Sequence, residues 1–73
     1  MAIIVRYRDN NWTIEPDKDN FLSDKTGLTK YLENLHYSIV QKECGLSVSG
    51  KEEDNLVDIV QKFYQDKEQV YPF

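Results

Sequence analysis

The side chains able to do chemistry are few. The chain has one cysteine, Cys44, one histidine, His36, and serines at positions 23, 38, 47 and 49. Read as the end of a helix spanning 26–44, Cys44 would feel the negative end of the helix dipole, which disfavours a thiolate and so a nucleophilic role. His36 has Glu33 as its nearest acid at helical spacing, an ordinary surface pair rather than a base held by an orienting partner. No serine lies in a Gly-x-Ser-x-Gly elbow, and the three glycines, Gly27, Gly45 and Gly50, are too isolated to cradle a phosphate.

Metal chemistry fares no better. One cysteine and one histidine cannot assemble a Cys/His zinc site. Asp17, Asp19, Asn20 and Asp24 open like a calcium loop, but the sixth position is not glycine and Leu28 stands where the bidentate glutamate belongs. The expectation is therefore no catalytic residue, no bound metal, no cofactor and no enzyme activity.

Binding is better served. Tyr37 is expected opposite the core stripe of the first helix, in solvent, where tyrosine offers large contact area at small entropic cost. Arg6 and Arg8 alternate with apolar residues and should share one wet strand face. Tyr64 is expected at the margin of the second helix's apolar stripe. Tyr71 and Phe73 lie in a tail, "QVYPF", too apolar to be inert. These six residues, Tyr37, Arg6, Arg8, Tyr64, Tyr71 and Phe73, are the contact candidates.

Periodicity predicts the elements that must position them. Residues 3–15 alternate around Asp9-Asn10-Asn11 and predict a β-hairpin; a turn at Asn10-Asn11 would set Arg6 opposite Glu15. A polar linker, 16–25, contains Phe21 and Leu22 as anchors. Leu28, Tyr31, Leu32, Leu35 and Ile39 recur at helical spacing and predict a helix over 26–44, closed by Gly45 as its cap. Ser49 and Glu52 have capping-box spacing, with Leu56, Ile59, Val60 and Phe63 as the stripe of a second helix over 50–67. The tail is 69–73. The fold expected is α+β, a hairpin packed on an antiparallel pair of helices in the order ββαα, forming a single small domain over 1–73.

Composition bounds the partners. Thirteen acids against nine bases give a net charge of −4, which disfavours phosphate backbones and anionic membranes. No apolar run reaches the roughly 20 residues of a membrane span, and the opening "MAIIVRYRDN" lacks the order of a secretory signal. With one unpaired cysteine, a cytoplasmic location is expected. The function expected is a non-catalytic module binding a protein partner, an inhibitor or modulator of a larger machine of the kind phages and other mobile elements encode. The rival is a dimeric regulator associated with nucleic acid through Arg6, Arg8 and helix lysines. Self-association is expected through the hairpin edge or an apolar patch.

Overall fold

The computed structural model describes residues 2–18 and 21–72. The architecture is a five-stranded mixed sheet with two α-helices, and it corrects the ββαα reading. Strands β1 (Ala2–Arg8) and β2 (Asn11–Pro16) lead into α1 (Lys25–Asn34). Then come β3 (Ser38–Gln41), β4 (Leu46–Ser49), a 3-10 turn (Glu52–Asp54), α2 (Leu56–Tyr64) and β5 (Gln69–Pro72). The sheet order is β3-β4-β2-β1-β5, antiparallel throughout except for β1 beside β5. A lone hairpin is marginal in water; three added strands remove that weakness.

The first helix stops at Asn34, well short of the expected end at residue 44. His36 adopts a left-handed conformation, φ 72. Its N–H bonds the Glu33 carbonyl while the Tyr37 N–H reaches the Leu32 carbonyl, at 2.9 and 3.2 Å. This is a Schellman stop with histidine where glycine is usual. The next four residues, Ser38-Ile39-Val40-Gln41, include two adjacent β-branched side chains that suit a strand better than a helix. Ile39 faces the core in either conformation, which is why it fitted the helical stripe.

Gly45 is not a helix cap. It lies at the base of the β3–β4 connection, where a Cβ would overlap the Ile14 carbonyl oxygen of β2. The second helix is also shorter than expected. Residues 52–54 form a separate turn in which the Lys51 N–H bonds Asp54 Oδ2 at 2.8 Å, so the capping box lies two residues beyond Ser49 and Glu52. Asn55, left-handed, separates that turn from α2, and left-handed Gln65 and Asp66 end the helix at Tyr64 and return the chain toward β1. The tail forms β5, paired with β1 from Ala2↔Gln69 to Val5↔Pro72.

The hairpin register differs by two residues from the one expected. The turn is Asp9-Asn10, both at positive φ as primed turns require, so Arg6 faces Thr13 and Tyr7 faces Trp12. The Arg6–Glu15 pair is replaced by Ile4 opposite Glu15. A shift of two preserves the faces: Ile3, Val5, Trp12 and Ile14 are buried.

Topology decides where the helices go. β2 and β3 run the same way and are joined by α1; β4 and β5 run the opposite way and are joined by α2, with the two crossovers moving in opposite directions along the sheet. Right-handed crossovers of that kind place both helices on one face. Accordingly, Leu28 and Leu32 of α1 and Leu56, Val60 and Tyr64 of α2 join Ile3, Val5, Trp12, Ile14, Leu46 and Val48 of the sheet in one core, with Leu22 from the linker. Phe21 remains 65% exposed and does not anchor. Neither α1 nor α2 covers the other face of the sheet.

Candidate functional site: the open face of the sheet

The alternation that buries Ile3 and Val5 turns Ile4, Arg6 and Arg8 to the uncovered side. Register aligns their neighbours in rows across the strands. One row runs Val40, Ser47, Thr13, Arg6; the next runs Ser38, Ser49, Asn11, Arg8. A third brings Glu15, Ile4 and Tyr71 together. The face is thus hydroxyl-rich in the middle, with an exposed valine on β3 and an exposed tyrosine on β5.

A shallow groove of about 290 Å³ crosses it, lined by Arg6, Arg8, Thr13, Glu15, Lys42 and Ser47, with Asp9 and Asn11 at the turn end. Three cations and two carboxylates share this space. Arg6 Nε is buried with no hydrogen-bond partner among the described residues. Lys42 and Ser47 are the members that sequence reasoning missed. The signal was there in Ser38-x-Val40-x-Lys42, which the expected helix over 26–44 covers, and in Leu46-x-Val48, which falls in the short stretch between the two expected helices.

The other contact candidates are scattered. Tyr37 is half-buried against the core at the entry to β3, which corrects its expected exposure; burial, then the nearby Asp54 carboxylate, raises its pKa above the ordinary tyrosine value. Tyr64 is buried rather than marginal, and its hydroxyl donates to the Ser23 carbonyl at 2.8 Å. Burial, with Glu68 and Asp24 adding negative charge nearby, pushes its pKa well above 10. Tyr71 joins the open face. Phe73 lies outside the described residues, as do Asp19 and Asn20 of the acidic linker.

Cys44 is an exposed free thiol at the tip of the β3–β4 connection, not at a helix end. His36 is exposed and spent on the left-handed stop of α1. Ser38 and Ser49 face each other across β3 and β4. Among the described residues, no group of three or more His, Cys, Asp or Glu could hold a metal ion. The acids from Glu52 to Glu68 do not form one helical array: only Asp58 lies within α2, and Asp54 is occupied as a cap.

Both edges of the N-terminal hairpin are filled by the chain itself, β1 by β5 and β2 by β4. Self-association through that edge is thereby corrected. Among the described residues, no helix is long and apolar enough to cross a membrane. No protein-family model, curated protein or solved structure matches the chain.

Proposed function

We propose that this chain is a non-catalytic protein-binding module whose partner lies across the open face of the sheet. In its specific form the reading is a stoichiometric inhibitor or modulator of a larger assembly. The observation that carries it is the Arg6 row: a continuous strip of Val40, Ser47, Thr13 and Arg6, uncovered by either helix and bordering the groove that Arg8 and Lys42 also line. Hydroxyls and an arginine beside isolated apolar groups suit a protein surface bearing carboxylates and backbone carbonyls.

Nucleic acid is the second reading, favoured by Lys42 joining Arg6 and Arg8 in one groove. Against it stand Asp9 and Glu15 in the same groove and the placement of Tyr7 and Trp12, whose rings pack tilted against each other with centroids 5.2 Å apart on the helix side of the sheet. The exposed lysines of the helices, Lys30 and Lys62, belong to the opposite layer.

Affinity capture with paired charge reversals tests the choice. Arg8→Glu with Lys42→Glu should abolish retention of a stoichiometric protein companion, whereas Lys30→Glu with Lys62→Glu on the helix layer should leave it intact. Equal retention by both variants overturns the open-face reading. A salt-sensitive mobility shift with mixed DNA and RNA, lost in the first variant alone, would transfer the site to nucleic acid.

A further inference from the structure

The sheet has two outer strands, and they differ. β5 carries Pro72, a residue that deters strand pairing at edges, while β3 has no proline, no charge and no strand on its outer side. Its central Val40 is 62% exposed. The Lys42 N–H to Gly45 carbonyl bond at 2.9 Å directs residue 42 toward β4; by alternation, residues 40 and 38 also point there. The N–H and C=O groups of Ile39 and Gln41 therefore point outward.

We propose that this edge pairs with the same edge of a second copy, antiparallel about a two-fold axis through Val40. Only registers that match outward-facing residues are allowed, and the one that sets Ile39 opposite Gln41 of the partner copy also sets Val40 against its own counterpart. Ser38 then faces Lys42 of the other copy. No like charges meet, and the exposed valine gains a cross-strand partner in the closer, non-hydrogen-bonded position. Sliding by two residues in either direction sets Val40 against a serine or a lysine instead. The match of a strand to itself, with apolar on apolar at the centre and no repulsion at the ends, is what selects a second copy over an unrelated strand.

The product is a continuous ten-stranded sheet with all helices on one side and both open faces merged on the other. The pairing does not depend on what the open face binds. One strand pair buries less than a standard interface, so association belongs in the micromolar range or weaker.

Light scattering across a concentration series reads the result. The wild-type mass should rise from that of one 8.6 kDa chain toward twice it, and Val40→Lys should hold it at one chain with an unchanged melt. Mixing Val40→Lys with Val40→Glu should restore the pair, since each position 40 faces the other. Independently, Val40→Cys in a Cys44→Ser background should give a disulfide-linked dimer under mild oxidation. A wild-type protein that stays monomeric to roughly millimolar concentration, well above any such affinity, overturns the proposal. So does a dimer indifferent to Val40→Lys, or a Val40→Cys variant that does not cross-link.

Discussion

Seven non-glycine residues hold positive φ, and none of the three glycines does among the described residues. Three of the seven lie at the C-terminal ends of the α-helices, His36 after α1 and Gln65 with Asp66 after α2. His36 follows Leu35, the C-cap of α1, and Gln65 is the C-cap of α2; a side chain held left-handed there costs on the order of 1 kcal/mol relative to glycine. His36→Gly and Gln65→Gly should each stabilise the fold by about 0.5–1 kcal/mol, read as a rise in Tm of several degrees. The converse holds at Gly45, which permits β2 to approach. Gly45→Ala should cost about 1–3 kcal/mol in a denaturant titration, because the displaced atom is backbone and cannot swing away.

Tyr64 supplies the pH dependence. Its pKa is raised in the folded protein above the value near 10 that it has when unfolded, so the neutral phenol is the form that stabilises. That contribution is complete below about pH 10 and is lost as pH rises further, because the unfolded chain then releases the proton more readily. Stability measured from pH 8 upward should be level and then fall by up to about 1.4 kcal/mol per unit from this group. Tyr64→Phe should remove its share of the slope while costing about 1–2 kcal/mol at neutral pH, where the Ser23 carbonyl loses its donor.

The elements show which signals a sequence carries and which it hides. Alternation in 3–15 was readable, and the faces it assigned survive a register two residues away from expectation. The apolar spacing of Leu28, Leu32, Leu56 and Val60 was readable too, and all four are buried. What misled was punctuation. Glycine is the usual helix stop, yet His36 performs that role after α1, so the helical spacing that reaches Ile39 outlasts the helix itself. The tail was recognised as apolar, but nothing local specifies that it pairs parallel with β1, a contact spanning almost the whole chain. Truncation after Glu68 removes β5 and bares the β1 edge; it should lower Tm by well over the several degrees expected from losing the aromatic contacts alone and promote aggregation.

For the molecule as a whole, crossover handedness places α1 and α2 on one layer, and every row on the other side of the sheet is left uncovered by either helix. That side could not be assembled from sequence, because Lys42 and Ser47 reach it only once β3 and β4 exist. Arg6 and Arg8 were legible as an outward pair sharing a face with Thr13; their meeting with Lys42 and Ser47 was not. Tyr37, chosen as a contact because a longer helix would expose it, instead supports the core near Gly50, so Tyr37→Ala should lower stability by more than about 0.5 kcal/mol.

The most direct measurement is site-specific photocross-linking with the intact chain in a lysate of its native host. A photoreactive residue replaces Thr13 at the centre of the open face in one sample and Lys62 on the exposed side of α2 in another. A single protein conjugate formed at position 13 and not at 62, and diminished when Arg6 is changed to Ala, is the expected outcome. Conjugates formed at 62 but not at 13, or the same conjugates at both, would show that the partner does not lie across the sheet.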